Sequence, residues 1–186
     1  MLATQLATEP ELELLNPEHD GAINARYQSL IRLAESIRAR RDPRELFDLL
    51  ASELCRVVQF DAIAQYDDAA NKVHWHLGEA CRRSSETRPP IEKEETLAWW
   101  VYQHQQPVLI RRADSEVRFP AMMAHLRSHG MQSICALPLS TAHRQLGSLV
   151  IASGKRDVYS DGEMGFFTLA ASQIAVAIDD ALNFQA

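Results

Sequence analysis

Apolar residues recur along the chain with two periods, and the changes of period mark the elements. Between Ala22 and Arg40, the residues Ile23, Tyr27, Leu30, Ile31, Ala34 and Ile37 fall at three- and four-residue steps, the single stripe of an amphipathic helix. Asp42-Pro43 restarts the chain, because aspartate caps a helix N-terminus and proline is tolerated at the first helical position, where its missing N–H would be unpaired. A second helix over Arg44–Val58 presents Leu46, Phe47, Leu50, Leu54 and Val57. The period then shortens. Phe60–Asp67 is rich in β-compatible residues, Asp67–Asn71 is turn chemistry and Lys72–Gly78 alternates strictly, so a β-hairpin is predicted. Glu79–Pro90 is polar and reads as a loop.

The second half repeats the alternation of elements. Glu94–Gln105 reads as a short helix, Pro107–Ile110 as a short strand and Phe119–His129 as a helix stopped by Gly130 at the usual C-terminal cap position. Met131–Leu139 and Gln145–Ser153 are almost continuously apolar, which predicts strands buried on both faces, joined by the polar turn Ser140–Arg144. Ser160-Asp161-Gly162-Glu163 has the form of a capping box and opens a last helix reaching about Phe184. Its Phe167, Ala170, Ala171, Ile174, Ala177, Ile178 and Ala181 form an almost unbroken stripe. The economical packing of this order is an α+β sandwich, an antiparallel sheet with helices on both faces.

Composition narrows the picture. A chain of 186 residues, 46% hydrophobic and 24% charged, suits one globular domain, read here as residues 21–186, preceded by a flexible acidic leader over residues 1–20. The formal net charge of -6 argues against direct nucleic-acid binding. No apolar run approaches the roughly 20 residues that span a bilayer, and the acidic N-terminus lacks the form of a signal peptide. Three widely spaced cysteines, Cys55, Cys81 and Cys135, fit reduced thiols in a cytoplasm better than a disulfide framework.

Several motifs then resemble, in order, those of the GAF family over about residues 25–184. Gln106–Ile110 is similar to its "rPvvi" strand, Gly130–Leu139 to "G-x-x-S-x-l-x-v-P-L", Leu146–Ala152 to "l-G-x-L-x-l" and Tyr159–Glu163 to "fs-x-x-e". Within the family, Arg118–Leu139 is most similar to the N-terminal sensor domains of bacterial sigma-54-dependent regulators of the formate hydrogenlyase activator type. The resemblance implies a GAF/PAS-like six-stranded antiparallel sheet. It places the terminal helices on one face and a ligand pocket on the other, under the short helices and loops. It also implies a cytoplasmic homodimer through the first and last helices, with an output domain (an AAA+ ATPase with a DNA-binding domain, or a kinase) outside this chain. Cyclic nucleotides are not expected as ligands, since Asn71-Lys72 lacks the Phe and Asp-Glu that complete that signature. No bilin is expected either, since no cysteine is followed by histidine. No cofactor is predicted.

Candidate chemistry is sparse. Ser153-Gly154-Lys155 lacks the first glycine and the following hydroxyl of a phosphate-binding loop. His74 with His76, and His125 with His129, have metal-compatible spacing but no third ligand near them, so no metal is predicted. The distinctive feature is a set of loop arginines, Arg82, Arg83, Arg88, Arg111, Arg112 and Arg118, in an otherwise acidic protein. They either bind an anionic ligand through paired hydrogen bonds or are solvated and paired with Glu86, Glu92, Asp114 and Glu116. Arg118 and Arg82 are the leading candidates, with His76 if it faces the pocket. Trp99, Phe119, Met122, Met123 and Cys135 are possible lining residues, although the helical spacing of the first four equally fits a packed core. Three functions follow: a sensor of a small anion or carboxylate, a dimerisation and relay module with a vestigial pocket, and, remotely, a thiol-dependent reductase. The first two make the chain a non-enzyme.

Overall fold

The computed structural model describes residues 60–68, 70–77 and 92–183, together with residues 28, 29, 31, 32, 35, 36, 54 and 58. The leader, most of the first two helices and the loop after the hairpin lie outside the described residues. The individually described residues between 28 and 36, and Leu54, are helical, as the period of the sequence predicts.

Five strands form one antiparallel sheet: β1 (Ala62–Asp67), β2 (Lys72–Leu77), β3 (Val108–Ile110), β4 (Ser133–Ser140) and β5 (Gln145–Ser153), in the order β2-β1-β5-β4-β3. The sixth strand that the family resemblance implies has no counterpart among the described residues. Among the described residues three helices can be traced end to end: α1 (Leu97–His104), α2 (Pro120–Ser128) and α3 (Asp161–Asn183).

Alternation along each strand sorts the side chains into two layers. On one face Ile63, Cys135, Leu137, Leu139, Leu149 and Ile151 meet α3 through Phe167, Ala170, Ala171, Ile174 and Ala177, with Leu54 and Val58 in the same cluster. On the other face Ala62, Ala64, Ala136, Val150 and Ala152 meet Leu97 and Val101 of α1 and Met122, Met123 and Leu126 of α2. Four of the sheet residues in this second layer, Ala62, Ala64, Ala136 and Ala152, are alanines, which lets the helices approach closely there. Ser148 Oγ donates to the α1 carbonyl of Ala98 at 2.6 Å. Burial on both faces explains the continuous apolarity of β4 and β5.

The alanine-rich stripe of α3 is consumed by the sheet. The helix has 23 residues and contains an 18-residue window of mean hydropathy 1.3, enough by length and composition to cross a bilayer, but its apolar stripe is core. The stripe therefore faces the sheet and is not left over for a partner helix. Local signals set the ends. Ser160 Oγ accepts from Glu163 N–H at 3.3 Å and a Glu163 carboxylate oxygen accepts from Ser160 N–H at 3.1 Å, the reciprocal capping box. Thr96 Oγ1 accepts from Trp99 N–H at 3.2 Å, which starts α1 at Leu97, and a 3-10 turn (Lys93–Glu95) precedes it. Gly130 closes α2 with φ 76°, a left-handed conformation that glycine adopts without strain.

Candidate ligand site

Beneath α1 and α2 the described side chains pack against the sheet. Met122 and Met123 are buried under the two helices, and Trp99 and Phe119 pack at their margin. These four sequence candidates are brought together, as core. Trp100 meets Phe119 edge-on at 5.4 Å and stacks on His104 at 4.2 Å. Cys135 lies in the opposite layer, under α3, with its thiol 3.3 Å from Met164 Sδ. Burial pushes its pKa up to about 12, with the Glu163 carboxylate adding to the effect. His76 is on β2 opposite Ile63 in register. Arg82, Arg83, Arg88, Cys55 and Cys81 lie outside the described residues.

The described loop arginines are all engaged with carboxylates. Arg118 holds both oxygens of Glu116, from Nε at 2.9 Å and from its terminal nitrogen at 2.6 Å, and Glu116 also accepts from Arg118 N–H at 2.8 Å. These bonds hold the Glu116 carboxyl below its ordinary range. The Arg118 guanidinium carbon also lies 5.4 Å from the Phe119 ring centre. Arg112 donates to Asp157 at 2.9 Å, and Arg111 pairs with Asp161, the first residue of α3. In the reverse direction Arg156 pairs with Asp114 at 2.6 Å. Asp157 N–H donates to the Arg111 carbonyl at 3.0 Å. Arg127 of α2 clamps the loop from the other side by donating to the Ala113 carbonyl at 2.8 Å.

Two loops thus interlock, residues 111–118 after β3 and residues 154–160 before α3. Where they meet, a small open cleft of about 270 Å³ sits at the end of the edge strand β3. Leu109 and Ile110 form its apolar side, and Arg111, Arg112, Ser115, Glu116 and Asp157 bring its polar groups. The sequence points to Arg111 and Arg112 but not to Asp157 and Asp161, whose pairing spans 45 and 50 residues.

A second polar cluster went unnoticed in the sequence. The rings of Tyr66, Trp99 and Tyr102 lie 4.8–5.6 Å apart, and Lys93 Nζ sits 4.6 Å over Trp99. Asn71 Oδ1 accepts from both Lys93 and the Tyr66 hydroxyl, and Tyr102 donates to Asp68 at 2.7 Å. The residues of the β1–β2 turn read only as turn formers because their partners are 20 to 35 positions away, as in the 22 and 34 residues separating Lys93 from Asn71 and Tyr102 from Asp68. The segment Ser153-Gly154 likewise has a local use. Asp61 Oδ2 accepts from Ser153 Oγ at 3.0 Å and from Gly154 N–H at 2.6 Å. A carboxylate thus takes the backbone donor that a phosphate would need.

Comparison with known proteins agrees with this architecture. The family model described as GAF domain matches residues 42–178. The formate hydrogenlyase transcriptional activator FhlA of Escherichia coli (strain K12) is 22% identical over 190 residues, covering 99% of this chain. The match covers 27% of that activator, so the chain spans about a quarter of its length. Among solved structures, the GAF domain of a phosphoenolpyruvate-protein phosphotransferase from Coxiella burnetii superposes with a TM-score of 0.65 at 18% identity, covering 88% of this chain and 98% of that one. Free methionine-R-sulfoxide reductase from Neisseria meningitidis superposes with a TM-score of 0.61 at 12% identity, covering 98% and 99%. These structural likenesses concern the fold.

Proposed function

Since the chain belongs to the GAF family, we propose that it is the sensor domain of a cytoplasmic bacterial transcriptional regulator, without catalytic activity of its own, and that its ligand is a small anion or carboxylate. The domain runs from about residue 21 to the end of the chain, behind an acidic leader. Its output domain, an AAA+ ATPase with a DNA-binding domain or a kinase, lies beyond this chain. The observation that carries the reading is the interlock of the two loops. Arg111 holds Asp161, the first residue of α3, and Arg112 holds Asp157 in the loop before it, so a ligand drawing on these arginines acts on the start of that helix. Arg118 stands beside this cleft through Glu116, and Arg82 and His76 remain candidates from the sequence. A ligand shifts such an equilibrium only by its differential affinity for the two states.

The test is a thermal-shift screen of formate, acetate, isovalerate and inorganic phosphate against neutral isosteres at fixed ionic strength. Anions are expected to raise the midpoint, and Arg112→Gln to remove the effect. Stabilisation by neutral compounds with none by anions overturns the reading. The alternative, a dimerisation and relay module with a vestigial pocket, draws on the outward face of α3, where Leu169 and Val176 remain exposed. The reductase reading is disfavoured by the burial of Cys135.

A further inference from the structure

The cleft at the end of β3 carries opposed charges. Two guanidinium groups, Arg111 and Arg112, and two carboxylates, Glu116 and Asp157, line a space of about 270 Å³ beside an apolar side formed by Leu109 and Ile110. Their formal charges cancel. A simple anion gains the arginines and binds, but weakly because it also meets both carboxylates, and a simple cation meets the reverse. A molecule carrying both charges a few bonds apart escapes this conflict. From this arrangement we infer that the cleft is a binding site for a small zwitterion of the α-amino-acid class. Its carboxylate pairs with Arg112 and Arg111, its ammonium with Glu116 or Asp157, and its side chain lies on Leu109. The inference rests on the reading of the domain as a carboxylate sensor, and it specifies site and ligand class.

The Arg112–Asp157 pair is cheap to open, while Glu116 keeps its bonds to Arg118 and offers its remaining lone pairs. Arg112 and Asp157 have side chains 57% and 45% exposed, and ion pairs of that kind contribute little to stability. The ligand therefore interleaves with this pair at little loss. The consequence is local to α3. Asp157 has φ 55°, its N–H is held by the Arg111 carbonyl, and Arg111 also holds Asp161 at the first position of the helix. Drawing Arg111 and Arg112 onto a ligand redistributes the bonds that fix where α3 begins.

The experiment uses the full 186-residue chain in titration calorimetry at fixed ionic strength. The probes are L-valine, isovalerate, which lacks the ammonium, and isobutylamine, which lacks the carboxylate. L-valine is expected to bind at least about tenfold more tightly than either analogue, the scale of one charge-assisted hydrogen bond. Arg112→Gln and Glu116→Gln are each expected to weaken it by a similar factor while the unliganded unfolding midpoint stays within a few degrees. Should Glu116→Gln lower the midpoint further, Asp157→Asn replaces it as the test of the anionic wall, since asparagine tolerates the left-handed backbone. The inference is overturned if L-valine binds no more tightly than isovalerate, or if its binding survives these substitutions. If isovalerate equals L-valine and Arg112→Gln abolishes both, the carboxylate-sensor reading stands and the zwitterion falls. If neither isovalerate nor L-valine binds and the anion screen is also blank, both fall.

Discussion

The backbone of Gly147 runs so close to Tyr66 that a Cβ on residue 147 would lie 1.9 Å from the Tyr66 carbonyl oxygen. Gly147 has φ 148°, and the register of β4 with β5 shifts between Leu139 and Ser140. One extra residue on β5 is accommodated there as a β-bulge, which is why Leu146 and Leu149 face the same layer although an odd number of positions separates them.

Gly147→Ala is therefore expected to lower stability by about 3 kcal/mol, because the atom it meets is backbone in a central strand and cannot step aside. For a chain of this length that is a fall of roughly 6–12 °C in the unfolding midpoint. Calorimetry of the variant measures it, and a midpoint within 2 °C or so of the wild type would contradict the bulge geometry.

Cys135 should be chemically silent in the folded state. With its pKa pushed up to about 12 by burial, only about one molecule in ten thousand carries the thiolate at pH 8, and the thiolate is the reactive form. In a Cys55→Ser, Cys81→Ser background a thiol-specific reagent is expected to react only after denaturant is added. Rapid labelling of the native protein would reopen the reductase reading.

Tyr102 supplies a marker at alkaline pH. Its hydrogen bond to Asp68, followed by burial, raises its pKa from 10.0 to about 12. Here the folded-state pKa lies above the unfolded one, so the stabilising contribution is complete below pH 10 and is lost as pH climbs through about 12. Absorbance at the phenolate band should include a tyrosine step near the upper value in the folded chain. Asp68→Asn is expected to move that step down, and an unchanged titration in this variant would rule out the carboxylate as its cause.

Glu116 works in the opposite sense. Its carboxyl sits below the usual value because Arg118 donates to it, so its contribution is present above about pH 4.5 and fades as pH falls further. Glu116→Gln is expected to flatten the acid limb of the stability profile and to leave the plateau near pH 7 lower. Identical acid limbs in the two proteins would remove this pair from the account.

Much of this architecture was legible in the sequence wherever neighbours in the chain are also neighbours in space. Ser160 and Glu163 cap the last helix as their spacing predicts, and the unbroken apolarity of β4 and β5 reports two covered faces. What depends on distant partners was hidden. The continuous apolarity of β5 gives no warning that Gly147 holds a bulge against Tyr66. Nor do Arg111 and Arg112 announce in sequence that Asp161 and Asp157 claim them. Met122 and Met123 were ambiguous because a buried stripe and a pocket lining share one helical period. In the fold both are buried against the sheet, in one cluster with Ala62, Ala64, Ala136 and Ala152.

The packing of α3 decides which of its residues can test a homodimer. Ile174 is buried against the sheet and Ile178 packs at its edge, so glutamate at either position attacks the fold before any interface. At Ile174 the cost of placing a charge in a filled core is about 4 kcal/mol or more, and insoluble or unfolded protein is the expected result. The outward face of α3 is different. Leu169 and Val176, two turns apart, are 38% and 37% exposed in the single chain, an apolar strip that a second copy would cover. Leu169→Glu with Val176→Glu is therefore expected to convert a homodimer to monomer in sedimentation equilibrium at micromolar concentration, while the far-ultraviolet circular dichroism stays native. A wild-type chain that is monomeric at high micromolar concentration, or a double variant that remains dimeric, places the association elsewhere than on α3.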